Sequence, residues 1–508
     1  MLQLWCLCIT LCVAIASAQP DLSCLRTCLA SKSTPSTFSD NSNWAKLASP
    51  FNLRLQYKPA VVVSADTVSH VSEGVKCASS CGGFKVQARS GGHSYASFST
   101  GGQNGSVIID LASLNTVTVH ANKSATIEGG VRLGNLDLSL FDAGKRAISH
   151  GTCAGVGIGG HSTHGGYGYD SRAWGLALDH IEALEVVLAD GSVQRVSAKQ
   201  NEDVYWAARG AADSIAIVTK FHMRTQAAPE KLVYWSYDLS NCMSKKATFV
   251  AAFQHVQSFA LNTTVQDRRL NWGMWLGTDS WSIQGKFFGT LTDWKTRIEP
   301  ELLRTLPKPA GSDVREVSWL KAQALFEGSE DTAALAKPKE PGTYTEHDTF
   351  YTKSLTVPDP LSAEALGNWY TYATTAGAQI TSPNQWSCDF DLYGGPDSQV
   401  SIYNSTWSAF QPRNALWTLQ MSAGVEGNRA FDKKLISFVN GISTAITSKM
   451  PNTKFAAYHN YVDPELSPAE AHRLYFGSEV YERLLAIKKR VDPNGVFQNP
   501  LSVGVGDA

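Results

Sequence analysis

Two glycine-rich stretches decide how this chain is read: RSGGHSYASF (Arg89 to Phe98) and HGTCAGVGIGGHSTHGGYGYD (His150 to Asp170). The first carries an imidazole at His93 and the second a thiol at Cys153. These are the two side chains best able to attack the electrophilic positions of an oxidised isoalloxazine ring. Glycines on both sides let bare backbone N–H groups approach a pyrophosphate without Cβ obstruction. If both residues bond such a ring, the chain is a flavin oxidoreductase.

The rest of the chain frames that expectation. At 508 residues it exceeds one comfortable core, so two domains or one large bipartite one are expected. Hydrophobic residues make up 43% and charged residues 18%, as in ordinary globular proteins. The net charge is −1 and no Lys/Arg run interrupts the sequence, which argues against nucleic acid and anionic membranes as partners. Residues 1–18 form an apolar run ending in Ala16-Ser17-Ala18, the small-x-small pattern of signal peptidase cleavage, although no Lys or Arg precedes the apolar core. The run is shorter than the roughly 20 residues of a membrane span. Four sequons, at Asn104, Asn122, Asn262 and Asn404, fit a secreted glycoprotein.

Seven of the ten cysteines lie beyond that leader. Cys24 and Cys28 are four apart, as are Cys77 and Cys81, so each pair shares one face of a helix. Crossed pairing, Cys28–Cys77 with Cys24–Cys81, suits antiparallel helices, but spacing alone does not fix connectivity. Cys242 and Cys388 are either paired or buried free. Cys153 is then the odd thiol, and a flavin thioether accounts for it.

Strands are expected at Ala60–Val63, Phe84–Ala88, Val107–Asp110, Ala125–Glu128 and Ile181–Leu188, the last closed by a turn at Ala189-Asp190-Gly191. Helices are expected at Thr67–Ser80 and Arg132–Phe141. This mixture makes an α+β nucleotide-binding domain. Beyond Thr225 aromatic residues become dense. Asn271–Leu276 and Ser282–Phe288 look like sheet, and Ala430–Ser448 like an amphipathic helix.

Three rival chemistries fall on context. Gly155-x-Gly157-x-x-Gly160, with Asp179 some 20 residues on, satisfies a dinucleotide fingerprint, but no strand runs into it and no amphipathic helix follows. His150, His161 and His164 lack the spacing and acidic partner of a zinc site. No G-x-S-x-G elbow supports an activated serine.

RSGGHSY with GTCAGVGIGGH resembles the berberine bridge enzyme-like branch of the vanillyl-alcohol oxidase flavoproteins. Asn460-Tyr-Val-Asp463, Tyr475-Phe-Gly477 and the Asp492–Pro500 tail agree with it. Within that branch the chain is most similar to fungal oxidases of gluco- and chitooligosaccharides. The resemblance implies a bipartite FAD-binding domain of the vanillyl-alcohol oxidase type plus a substrate domain with a large antiparallel sheet backed by helices. It divides the chain into residues 19–224 (FAD-binding), 225–455 (substrate) and 456–508 (returning to the FAD domain). It implies FAD bonded through its 8α carbon to His93 and through carbon 6 to Cys153. Further cofactor contacts fall to Arg89, Ser90, Gly91, Gly92, Ser94, Gly151, Gly155, Val156, Gly157, Gly160, His161, Ile217, Val218, Phe497 and Asn499. Val156 stands where a valine accompanies oxidase behaviour. Tyr461 matches the catalytic tyrosine and Asp391 the carboxylate that assists it, while Tyr95 and Asp389 face substrate.

Two departures stand out. The family's GGGGNFGIVT stretch reads Gly210-Ala-Ala-Asp-Ser-Ile-Ala-Ile-Val-Thr219 here, and Asp389 replaces an expected amide. The expected function is a secreted carbohydrate oxidase that turns the anomeric hydroxyl of reducing sugars into a lactone and O2 into H2O2. A monomer is expected, with a small-molecule sugar and O2 as partners and neither nucleic acid nor membrane. Its rivals are a flavin oxidase of a secondary-metabolite alcohol or alkaloid on the same scaffold, and a flavin-holding protein without turnover.

Overall fold

The computed structural model describes residues 20–427 and 429–506, so the expected leader at 1–18 lies outside the described residues. The chain begins with a four-stranded sheet in the order Ser36–Phe38, Val61–Ser64, Val107–Asp110, Val86–Arg89. Its last three strands are parallel and almost wholly buried, as apolar runs such as Val61-Val-Val require. The helix Val68–Ser80 is capped by the Thr67 hydroxyl, which accepts from the His70 N–H, and it stops at Gly82 and Gly83, both at positive φ. Cys24–Cys81 and Cys28–Cys77 are disulfide-bonded, joining this helix to Leu22–Ser31. Cys242 and Cys388 are buried and free.

A second, five-stranded antiparallel sheet runs Val117–Val119, Ser124–Glu128, Ile217–Arg224, Ile181–Val187, Val193–Ser197. The hairpin between its last two strands turns at the expected Asp190-Gly191, with Gly191 at φ +77°. Both glycine-rich stretches leave this half of the molecule as loops. The first follows directly from the C-terminal end of Val86–Arg89, where open α/β sheets place their ligands.

The aromatic-rich region forms a seven-stranded antiparallel sheet. Its order is Gly311–Val317, Leu232–Asp238, Trp281–Phe287, Leu270–Leu276, Asn384–Leu392, Trp417–Val425, Phe350–Val357. One face is covered by the helices Lys246–Leu261, Ala363–Thr375 and Lys434–Thr447. Trp235, Trp272, Trp281, Trp369 and Trp417 are buried between sheet and helices, so these tryptophans are core. Alternation along each strand leaves the other face to the polar residues Asp389, Asp391, Gln420 and Ser422.

The chain then returns. Pro468–Tyr475 and Gly477–Val491 share a core with the five-stranded sheet, and Phe497 bridges to Val86 in the first sheet. Buried Lys488 holds the tail in place by donating to Asp492 (2.6 Å) and to the carbonyls of Ser214 (2.6 Å) and Phe497 (2.7 Å).

The structure differs from expectation at two elements. The helix expected over Ala430–Ser448 is Lys434–Thr447, because Asp432 accepts from the Lys434 N–H and sets the start later. The glycine run does enter a helix, but a short one, Ile158–Thr163, after which the chain loops through Gly165 and Gly166 at positive φ. Asp179, the candidate ribose ligand of a dinucleotide fingerprint, is instead clamped by Arg413 through two 2.8 Å hydrogen bonds, both residues being buried. Arg413→Leu would leave that carboxylate buried without its counter-charge. A loss of about 3–5 kcal/mol is expected for such a change, and the shift of the denaturant midpoint measures it.

Candidate functional site

Between the glycine loops and the returning tail lies a cavity of about 440 Å³. Its position depends on one close approach. A Cβ built on Gly157 would collide with the Gly91 backbone, and one on Gly91 with the Gly157 backbone. The two loops therefore touch main chain to main chain. Ser90 ties them further, its hydroxyl donating to the Gly129 carbonyl (2.5 Å) and accepting from the Gly159 N–H (3.1 Å). Arg132 donates to the Gly91 carbonyl (2.7 Å) and to that of Gly155.

This contact sets His93 and Cys153 in the wall of the same cavity, with Ser90, Gly91, Gly92, Ser94 and Tyr95 from one loop. Gly155, Val156, Gly157, Gly160 and His161 come from the other, and Tyr461 from the returning tail. The remaining sequence candidates do not line it. Arg89 is turned away into a 2.7 Å ion pair with buried Asp110. Gly151 donates its N–H to His161 Nε2 (3.0 Å). Ile217, Val218 and Phe497 are packed in the hydrophobic cores. Asn499 reaches the wall indirectly, donating to Asp213 (2.8 Å), and Asp389 and Asp391 stand behind the tyrosines.

Burial sets the protonation of the wall. It holds His93 down to about 3, with the Arg132 charge acting in the same direction, so the imidazole is neutral. Burial, with Glu327 and Glu346 nearby, pushes the Cys153 thiol up to about 11, although its sulfur opens on the cavity. His161 is likewise held down to about 3 by burial and by His150.

The tyrosines form a layered set. Tyr461 stacks on Tyr95 at 5.7 Å between ring centroids and meets Tyr458 edge-on at 4.9 Å. Burial raises the Tyr461 phenol well above its ordinary value, and the Asp391 charge raises it further. Burial also pushes Asp391 up to about 7, partly offset by a hydrogen bond from Tyr169. Asp389, two residues along the same strand and on the same face, is raised well above the carboxylate range by burial and by Asp391. One of its oxygens is buried without a partner. Gln420, directly opposite Asp389, donates to the Tyr95 hydroxyl at 3.3 Å.

Several wall residues gave no signal in the sequence. Tyr344, Glu346 and Glu327 come from outside any recognised motif. Asp213, inside the altered GAADSIAIVT stretch, pairs with His164 at 3.1 Å. With His459 these two bring possible ligand atoms within 4.8 Å of one another, so an acidic partner does reach the loop histidines. Asp213 is already satisfied by His164 and Asn499, and its carboxyl is held low chiefly by His164 against burial.

The cavity suits a flavin dinucleotide. The backbone N–H groups of residues 91–95 donate to no acceptor within the described protein, leaving a row of free donors along the cavity edge. Gly160 faces open space. A neutral imidazole and a neutral thiol stand in the same wall. A fold of this kind around such a cavity defines a flavoprotein oxidoreductase.

Comparison with known proteins agrees. Residues 59–197 match an FAD binding domain and residues 457–504 the berberine and berberine-like domain. The chain is 33% identical to the xylooligosaccharide oxidase of Thermothelomyces thermophilus, over 96% of each chain. It is 32% identical to the glucooligosaccharide oxidase of Sarocladium strictum, over 94% of each. Among solved structures, a xylooligosaccharide oxidase from Myceliophthora thermophila in complex with xylobiose superimposes with a TM-score of 0.88 at 32% identity, covering 96% of this chain and 100% of that one. A glucooligosaccharide oxidase from Acremonium strictum, described as carrying a 6-S-cysteinyl, 8α-N1-histidyl FAD, gives 0.87 at 31% identity, covering 94% and 99%. The chain belongs to the berberine bridge enzyme-like branch of the vanillyl-alcohol oxidase flavoproteins and is an FAD-dependent oxidoreductase.

The loop contact is directly testable. Gly157→Ala forces the two glycine loops apart, so the purified variant should lose most of its bound flavin, read as the ratio of flavin to protein absorbance. Wild-type flavin content in that variant would mean the loops need not touch.

Proposed function

We propose that the protein is a secreted carbohydrate oxidase that converts the anomeric C1 hydroxyl of reducing oligosaccharides to a lactone and reduces O2 to H2O2, with FAD held through His93 and Cys153. The observation that carries this reading is Asp391, a carboxylate with its pKa near 7 behind Tyr461, whose own side chain lines the cavity that also holds His93 and Cys153. The bound FAD supplies a hydride acceptor at the sugar carbon and a two-electron route to dioxygen.

The remaining roles fall to side chains. Tyr461 takes the anomeric hydroxyl proton as hydride leaves the carbon. Because its own phenol is raised, Tyr461 holds no lasting negative charge and hands its proton on to Asp391, whose pKa matches that task at neutral pH. Asp389, kept protonated by burial and by its neighbour Asp391, offers its unpartnered oxygen to a sugar hydroxyl. Trp275 lies on the same face of the sheet, opposite Asp389, and is 42% exposed whereas the core tryptophans are buried. It is the natural platform for an apolar sugar face. Val156 in the cavity wall leaves dioxygen a path. Residues 19–224 with 456–508 carry the flavin on this reading, and 225–455 the sugar. The two disulfides and the exposed sequons at Asn104, Asn122 and Asn404 support an extracellular setting.

Peroxide release across glucose, cellobiose, lactose, xylobiose, chitobiose and a few aromatic alcohols tests the activity. Turnover on the disaccharides is expected. Silence on every sugar with turnover on an aromatic alcohol would transfer the site to secondary metabolites.

The acid limb of kcat/KM has a defined sign. Asp391 accepts a proton only when ionised, so the rate should fall as pH drops below about 7. Asp391→Asn should remove that limb and lower kcat by a factor on the order of 100 or more. Tyr461→Phe should cost a similar factor while keeping the flavin spectrum, and a near-normal rate in either variant would place the base elsewhere. Trp275→Ala should raise KM for a disaccharide several-fold and leave kcat nearly unchanged.

A further inference from the structure

One network around the cavity is used by none of the steps above. The segment from Glu327 to Glu346 lines the site with Glu327, Tyr344 and Glu346 and sends Tyr344 to His93, whose Nε2 lies 2.8 Å from the phenol oxygen. Tyr344 in turn donates to Glu346 at 2.7 Å. Lys337 joins Glu346 (3.2 Å) to Glu327 (2.8 Å), and Glu327 accepts from the N–H of Ala154, the residue after Cys153, at 2.6 Å. The segment is held in place independently of His93. Asn135 exchanges two hydrogen bonds with Lys337, and the Arg132 guanidinium lies over the Tyr344 ring at 3.9 Å. A Cβ on Gly155 would strike the Tyr344 hydroxyl, so this glycine serves the tyrosine as well as the cavity.

The protons in this chain can be assigned by elimination. Tyr344 has one hydroxyl proton, and an ionised carboxylate can only accept it. Glu346 is kept ionised by Tyr344 and Lys337. The Tyr344 oxygen is then an acceptor toward His93, so Nε2 must carry the imidazole proton. Nδ1 is left with its lone pair. Phe51, stacked on the His93 ring at 4.0 Å, holds the plane in which that lone pair lies.

We propose that Tyr344 and Glu346 are positioning residues for flavin attachment: they lock His93 in the tautomer whose Nδ1 is nucleophilic and receive the Nε2 proton when the bond forms. This rests on the proposed histidyl link. The new bond joins Nδ1 to the methyl carbon on the flavin ring. That methyl gives up one proton, and the imidazole gives up its Nε2 proton through Tyr344 to Glu346. The electron pair left in the ring goes to dioxygen, which takes up two protons and leaves as hydrogen peroxide. Cys153 has no contact with Tyr344–Glu346 of this directing kind, so its bond forms without them.

The test compares wild type, Tyr344→Phe and Glu346→Gln, digested with protease after acid precipitation. Mass spectrometry then reads the flavin-bearing fraction of the His93 peptide and of the Cys153 peptide separately. Both variants should lose the histidyl adduct at least tenfold and keep the cysteinyl adduct. Glu346 is largely exposed, its side chain at 58%, so Glu346→Gln leaves the fold intact if Tyr344→Phe does not. A histidyl fraction within twofold of wild type in Glu346→Gln would overturn the proposal, as would an equal loss at both peptides, which marks a merely structural role. Absence of the histidyl adduct from the wild type itself would instead refute the tether on which the proposal stands.

Discussion

Everything at the site depends on Gly91 lying against Gly157 with no side chain between them. Each loop alone is a flexible, glycine-rich connection, and glycine gives up more backbone entropy on ordering than any other residue. The ordering is supplied from outside. Ser90 and Arg132 cross-link the loops, while the parallel strand Val86–Arg89 and the short helix Ile158–Thr163 fix their ends. A nucleophile from each loop thereby faces one cavity, and the free N–H groups of residues 91–95 stay available to a ligand because the loops satisfy few of their own donors.

The large sheet adds the other half of the chemistry by a simple alternation. On Asn384–Leu392, Cys388 and Phe390 enter the tryptophan-rich core, and Asp389 and Asp391 lie on the opposite face, behind the tyrosines of the site. Two carboxylates sit two residues apart on one buried face: burial raises both, and the Asp391 charge raises Asp389 further. The result is a division of labour written into strand periodicity: one carboxyl titrates near neutrality and the other stays protonated.

Much of this was legible in the sequence, and what was not has physical causes. His93, Cys153 and their glycines were visible because a reactive side chain flanked by glycines has no neighbouring side chains to pack with, and so reads as chemistry before it reads as core. The helix Val68–Ser80 and five strands of the two smaller sheets followed from caps, turns and apolar periodicity, whereas the short strands Ser36–Phe38 and Val117–Val119 and the strand Ile217–Arg224 did not. Arg89 and Asp179 carried no mark distinguishing a ligand contact from the buried ion pairs they make with Asp110 and Arg413. Tyr344 and Glu346 lie some 250 residues from His93 and meet it only through the fold. Trp275 is chemically the same as the core tryptophans, and strand register alone sets it apart.

The most direct measurement is the mass of flavin-bearing peptides from the wild-type protein, cleaved so that residues 89–98 and 150–170 fall on separate fragments. Attachment at both His93 and Cys153 predicts one species containing both fragments joined through a single flavin. Two unmodified fragments, or flavin on only one of them, would contradict the claim that the paired glycine loops exist to hold one ring from two sides.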